Sequence, residues 1–356
     1  MSAKARKAVS LALQGGGALG AYTWGVLDRL LEDDRIEIAA VSGTSAGAMC
    51  AVVMAEGLVS GGAESARRKL RAFWEGVARA GLNNPYRRTP MMAFLSSFTP
   101  AWLQAPSMAQ WADAVSAFSS PYDFNPLNTN PLKELLEELV DFAAVRKCKT
   151  PQLFLGATNV DTGRIEIFET QELTAEHVMA SACLPQLFQA VVIDGVPYWD
   201  GGFTGNPALF PLFTVHATRD IVIVQVQPIE RRGAPRSAAD IAARVNEVTF
   251  NASLLSELRA IEFVDRLIDE NRLPADGRHR QILVHNVSED EPLRPLVLGV
   301  DLNTDLAHFE SLFGQGRAAC EHWLGEHFDD LGERSTVDLK AMFLDEPRKP
   351  GKKPLK

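Results

Sequence analysis

Residues 8–20 read AVSLALQGGGALG and residues 36–47 read IEIAAVSGTSAG. Each is a short apolar run that breaks into glycine, and apolar residues at helical spacing follow. The first run, Ala8 to Gln14, reads as a buried strand. Leu19, Val26, Leu27, Leu30 and Leu31 then mark a helix over Ala18–Glu32. Ile36 to Val41 reads as a second strand, and Ala46 to Glu56 as a second helix closed by Gly57. Strand, glycine turn, helix, strand, turn, helix is the opening of an α/β fold with parallel strands.

Further along, Glu64–Ala80 reads as a helix. The stretch 82–128 is different: it is rich in aromatics and methionine, poor in charge and interrupted by six prolines. Asn130-Pro131 is a helix start for Leu132–Val145. Leu153–Val160 and Arg164–Phe168 read as paired strands around Asp161-Thr162-Gly163. Thr174–Ser181 reads as a helix, and Asp194-Gly195 sits at the centre of a two-residue hairpin. Ile221–Val226 is another strand, Ser237–Leu273 a long helix, Gln281–Val287 a last strand and Asp305–Leu331 a C-terminal helix.

The composition is that of an ordinary globular chain: 356 residues, 46% hydrophobic and 23% charged. Thirty-six basic against 45 acidic residues leave a net charge of −9, which argues against bulk attraction to nucleic acid. The 4 cysteines show no zinc or disulfide spacing and read as buried thiols of a cytoplasmic protein. Ile38 to Ala55 carries no charge, but its small polar residues and length fit a buried strand–turn–helix better than a membrane span.

Gly43-Thr44-Ser45-Ala46-Gly47 falls between the second strand and the second helix. A nucleophilic serine needs a sharp turn, and Gly43 and Gly47 remove the side chains that would collide there. The next helix then aims its N–H groups at the place where an oxyanion forms. The glycine loop Gly15-Gly16-Gly17-Ala18-Leu19-Gly20 admits two functions. Gly15, Gly17 and Gly20 fit a dinucleotide fingerprint, and consecutive glycines also fit an oxyanion hole. A dinucleotide site wants an acid at the end of the second strand, where this chain has Val41-Ser42 and the serine turn.

Trp199-Asp200-Gly201-Gly202 reads by composition as a turn, or else Asp200 is the base for Ser45, where partial desolvation would raise its basicity. The histidines form no strong motif. His308 and His322 are the late-chain alternatives, and both lie on the expected C-terminal helix.

With these elements in order, the chain resembles the patatin-like phospholipase family, in its bacterial form, over about residues 8–226. The glycine loop, the Gly43–Gly47 turn and Asp200-Gly201-Gly202 carry the likeness. Met179-Ala180-Ser181-Ala182-Cys183-Leu184-Pro185 with Phe188, and Asn206-Pro207, are also similar. The resemblance implies a three-layer α/β/α fold with a largely parallel central sheet and a Ser–Asp dyad. In this scheme Ser45 is the nucleophile and Asp200 the general base. The N–H groups of Gly15, Gly16, Gly17 and Ala46 form the oxyanion hole, with Gly20, Gly43, Gly47, Gly201 and Gly202 as structural support. No metal and no cofactor are implied. Leu19 stands where many members carry Lys or Arg, which bears on the phospholipid headgroup.

The implied activity is hydrolysis of carboxylic esters of phospholipids, lysophospholipids or related lipids through an acyl-serine. The different-class alternative is a nucleotide-binding or regulatory module with phosphate on Gly15–Gly20. The expected organisation is a catalytic domain over 8–230, an α-rich extension over 231–345 packed on it, and a basic tail over 346–356. Within 82–128, Met91, Met92, Phe94, Phe98, Trp102, Met108, Trp111 and Phe118 suit either a lid or membrane-facing insertion, or an ordinary cover of the core. The expected partners are a lipid or fatty-acyl ester, peripheral contact with the inner membrane surface from the cytoplasm, and a second copy in a homodimer.

Overall fold

The computed structural model describes residues 6–82, 120–125, 128, 130–274, 280–289 and 304–343. The aromatic and methionine residues named for a lid, and the tail 346–356, lie outside the described residues.

The strands are β1 (Lys7–Leu13), β2 (Ile36–Gly43), β3 (Gln152–Asn159), β4 (Ile165–Glu169), β5 (Val191–Ile193), β6 (Val196–Asp200), β7 (Asp220–Val224) and β8 (Leu283–Val287). They form one sheet in the order β5-β6-β3-β2-β1-β7-β8, with β4 paired to β3 off this path. Pairing is parallel from β3 through β2, β1 and β7 to β8, and antiparallel where β4, β5 and β6 join. The sheet is therefore mixed, with five parallel strands running from β3 to the β8 edge.

The main helices are α1 (Gly20–Glu32), α2 (Ala46–Leu82), α3 (Pro131–Leu139), α4 (Ala175–Ser181), α5 (Ala238–Asp269) and α6 (Leu306–His327). Side-chain alternation along the strands sorts them into two layers. Val9, Leu11 and Leu13 of β1, with Leu153 and Leu155 of β3 and Val222 and Val224 of β7, pack with α1, α2 and α6. Ala12, Phe154, Ile221 and Ile223 point the other way, onto Leu254, Leu258 and Ile261 of α5. A parallel sheet buried on both faces is the middle layer of a three-layer α/β/α fold.

Two helices differ from the expectation. Gly57 does not close a helix; α2 continues past it and bends at Gly61 and Gly62, whose dihedrals are not helical. A side chain at Gly57 would lie 2.3 Å from the Ala66 Cα, so this glycine lets the two arms of the bend close on each other. The expected helix Leu132–Val145 breaks after Leu139, because the Asp141 carboxylate accepts the N–H groups of Ala143 and Ala144 and starts a new turn, Phe142–Val145.

By length and composition α2 could cross a membrane, but its apolar residues Cys50 to Ala55 are buried against the sheet. Residues beyond 230 are built into the same body. They supply β8 at the sheet edge, α5 beneath it, and α6 against α1. Side chains at Gly25 or Gly316 would fall 2.1 Å from a carbonyl oxygen of the facing helix, which explains how closely α1 and α6 approach. All four cysteines are buried, free thiols.

Candidate active site

The parallel strands put their carboxyl ends on one side, and strand order reverses there between β1 and β7, the usual place for a site in such sheets. Both motif loops leave the sheet at that end. The glycine loop follows β1 and the serine turn follows β2.

Ser45 has φ +55°, a left-handed conformation that serine adopts only under local constraint. Several contacts impose it. Thr44 N–H donates to the Leu13 carbonyl at 3.3 Å, and Thr44 Oγ1 donates to the Gly205 carbonyl at 2.7 Å. The Ser45 N–H donates to Ser181 Oγ at 3.0 Å, and that hydroxyl donates onward to the Gly156 carbonyl at 2.6 Å. A side chain at Gly47 would lie 2.4 Å from the Leu13 carbonyl oxygen, so only glycine lets α2 start this close to β1. Within stretches 11–20 and 41–50, every residue is buried except Gly17 and Ser45. The fold thus opens to solvent at one serine and one glycine.

Asp200 reaches this serine by strand register. Gly43, the last residue of β2, pairs with Leu155 of β3, while Asp200, the last residue of β6, pairs with Ala157. The ends of β2 and β6 therefore meet two residues apart on the same strand. The Asp200 side chain is fully buried. Its N–H donates to the Cys183 carbonyl at 2.8 Å, its carbonyl accepts from Thr158 Oγ1 at 2.8 Å, and its Oδ1 accepts the Gly202 N–H at 2.7 Å. Burial pushes the carboxyl up from 3.8 to about 6, against the opposing pull of the Gly202 N–H and the Ser45 hydroxyl. Its Oδ2 is buried and, among the described residues, accepts no hydrogen bond of ordinary geometry. A carboxylate held this way is a stronger base than one in water, and it faces a serine.

The glycine loop lies against the serine turn. A side chain at Gly15 would stand 2.7 Å from Ser45 Cβ and 2.9 Å from the Thr44 carbonyl oxygen. The Gly15 N–H donates to Asn206 Oδ1 at 2.7 Å, so it is already engaged. Gly17 takes φ +61°. Ala46 begins α2 beside them, where helix N–H groups are unpaired by geometry.

The structure brings Ser45, Asp200, Gly15, Gly16, Gly17 and Ala46 together, with Gly20, Gly43, Gly47, Gly201 and Gly202 packed around them. A Cβ at Gly20 would meet the Ala46 Cβ at 2.7 Å, and one at Gly201 would meet the Gly156 carbonyl oxygen at 2.1 Å. His308 and His322 lie on α6, which packs against α1.

Three buried polar residues at this site received no role from the sequence. Gln14 joins four segments: its Oε1 accepts the N–H groups of Val226 and Gln227 at 2.9 and 3.0 Å. Its Nε2 donates to Asn251 Oδ1 at 2.8 Å and to the Asn206 carbonyl at 3.3 Å. Asn206 holds Gly15, and its own N–H donates to Ser253 Oγ at 3.2 Å, while its Nδ2 is buried with no hydrogen-bond partner among the described residues. Ser181 fixes the backbone of the nucleophile. A polar residue closing an apolar strand, as Gln14 does, was the available signal.

Two surface cavities, of about 360 and 250 Å³, open elsewhere. The first is lined by two ion pairs among others, Arg29 with Asp33 and Arg317 with Glu32, and the second lies at the opposite ends of β2 and β3, beside Glu37 and Gln152.

Among solved structures the chain is similar to VipD from Legionella pneumophila, at 16% identity over 92% of this chain and 68% of that one, with a TM-score of 0.44. It is similar to the type III effector ExoU at 15% identity, over 90% of this chain and 53% of that one, with a TM-score of 0.34. The full-length SpcU–ExoU complex from Pseudomonas aeruginosa gives 14% identity, 94% and 76% coverage, and a TM-score of 0.27. No curated protein matches the chain. The family model for the patatin-like phospholipases matches residues 11–213, more than half of the chain, which belongs to that family.

Proposed function

With membership of the patatin-like phospholipase family as the premise, we propose that this chain is a serine lipid acyl hydrolase working through Ser45 and Asp200. The observation that carries the proposal is the placement of the Ser45 hydroxyl beside a fully buried carboxyl whose proton affinity is raised into the working range.

In this scheme the Asp200 carboxylate accepts the Ser45 proton as Oγ attacks the ester carbonyl carbon. The carbonyl oxygen gains the negative charge, and the N–H groups of Gly16 and Gly17, with Ala46 at the start of α2, stabilise it. The tetrahedral intermediate collapses, the bond to the alcohol breaks, and Asp200 returns the proton to the departing alkoxide. Water then attacks the acyl-Ser45 ester, giving its proton to Asp200, and fatty acid leaves as Ser45 is reprotonated. Gly15 takes a supporting role in place of the expected donor role, because its N–H is held by Asn206.

The reading of the glycine loop as a phosphate site finds less support. No acid stands at the end of β2, where the serine turn begins. The region 8–230 holds every residue of this scheme and is the proposed catalytic unit.

Fluorophosphonate labelling and hydrolysis of a medium-chain nitrophenyl ester test the proposal. Wild type is expected to label and turn over, Ser45→Ala to do neither, and Asp200→Asn to lose turnover. Labelling that persists in Ser45→Ala would refute it.

A further inference from the structure

The solvent face of α5 carries the wrong residues for water. From Ile241 to Ser256 its exposed positions are Ile241, Val245, Val248, Thr249, Ala252 and Ser256, none of them charged. Ile241, Val245 and Val248 are 46%, 58% and 53% exposed, and their spacing places them in one stripe. A surface helix normally presents its charges to solvent and its aliphatic residues to the core. Here the charges of the same turns point inward. Glu247 is 1% exposed and holds Arg231 at 3.3 Å and Arg244 at 3.0 Å. Glu257 accepts the N–H groups of Leu209 and Phe210 at 2.9 and 2.7 Å.

The opposite face of these turns belongs to the site. Phe250 packs against Gly202, Asn251 binds Gln14, and Ser253 binds Asn206. The apolar stripe is therefore carried by the helix that supports the serine and aspartate loops. Exposed arginines flank it, Arg232 and Arg236 before the helix and Arg259 after Ser256; Glu230 and Asp240 are the nearby exposed acids, while Glu247 is buried and Glu257 partly so. Asp240 is tied to the Ser237 cap at 2.6 Å. In a chain of net charge −9, a local excess of basic groups around an aliphatic stripe favours a negatively charged, apolar partner.

We infer that the Ile241–Ser256 face of α5, with Arg232, Arg236 and Arg259, docks on an anionic lipid surface. Aliphatic side chains enter the headgroup boundary and the guanidinium groups bind lipid phosphates. This rests on the lipid hydrolase reading for its use, since docking brings bilayer ester to Ser45, but the binding itself needs no chemistry.

The binding test therefore uses the full chain carrying Ser45→Ala, sedimented with vesicles of phosphatidylcholine alone or with one-third phosphatidylglycerol. The protein is expected to sediment with the anionic vesicles. Val245→Asp with Val248→Asp is expected to lower the partition coefficient at least tenfold, by about the cost of withholding two aliphatic side chains and adding two like charges. Arg232→Gln and Arg236→Gln are each expected to lower it about fivefold on anionic vesicles alone. In the chain with Ser45 intact, the double aspartate variant is expected to keep nitrophenyl-ester turnover and lose vesicle hydrolysis.

Equal sedimentation of the aspartate variant would overturn the inference. So would a concentration-dependent dimer dispersed by Val245→Asp, which assigns the face to a second copy. A lowered melting temperature in the aspartate variant would likewise overturn it, by showing that the chain covers the face itself. Vesicle binding without any ester turnover in wild type would instead sink the hydrolase reading and leave the docking surface standing.

Discussion

Asp200→Asn is expected to make the protein more stable and inactive at once, with a gain set by pH. The carboxyl is fully buried, and its pKa rises from 3.8 to about 6 on folding. A raised acid binds its proton more tightly in the folded state, so its ionisation destabilises the fold as pH climbs from the unfolded to the folded pKa. At about 1.4 kcal/mol per unit, the penalty is about 1 kcal/mol at pH 4.5 and about 3 kcal/mol at pH 8. Asparagine has no such titration, is nearly isosteric, and still offers an oxygen to the Gly202 N–H, the bond that Asp200 Oδ1 makes now. Urea unfolding of both proteins at the two pH values should show the variant's advantage growing by about 2 kcal/mol from pH 4.5 to pH 8. The turnover of wild type should rise through a midpoint near 6, because the base must be ionised to accept the serine proton. A gap that does not widen with pH, or an activity midpoint near that of a free carboxylate, would refute the claim that burial tunes this group.

Two further substitutions probe the loop opposite. Gly15→Ala places a methyl group 2.7 Å from Ser45 Cβ, so the serine or the loop must shift, and ester turnover should fall about 100-fold while circular dichroism is retained. Asn206→Ala leaves the buried Gly15 N–H without its acceptor. In steady-state kinetics kcat should fall at least about tenfold with KM nearly unchanged, since the amide orients the loop and does not touch substrate; an unchanged kcat would assign Asn206 to packing alone.

What could be read from the sequence was local. The runs of β1 and β2, their glycine breaks and the helices after them announce themselves through periodicity within about 15 residues. The Asp194-Gly195 turn is equally local, and both residues take positive φ, as a two-residue hairpin between twisted strands requires. The sharp turn at Ser45 was legible for the same reason, with Gly43 and Gly47 on either side, whereas Asp200-Gly201-Gly202 taken alone reads as a turn and was singled out by the family resemblance.

The Gln14 and Asn206 network was not legible, since it joins residues 191 to 237 positions apart. No pattern within a window reports which distant carbonyl a buried amide will meet. The break after Leu139 turned on whether Asp141 would cap a turn or sit mid-helix, a competition that propensity leaves nearly balanced. The outward-facing aliphatic stripe of α5 was hidden differently. Its periodicity correctly signals a helix, but period alone does not say which face the sheet will take.

The spacing between nucleophile and base is set against β3, which pairs with β2 along its first half and with β6 along its last. Strand β3 therefore acts as a ruler, and the chain between the serine turn and Gln152 is not part of the measurement. Residues added between α2 and β3 leave this register unchanged. One residue gained or lost within Gly156–Asn159 or Val196–Asp200 has the opposite effect. The side-chain period of a strand is two, so such a slip turns Asp200 to the far face of the sheet and leaves Ser45 without a base.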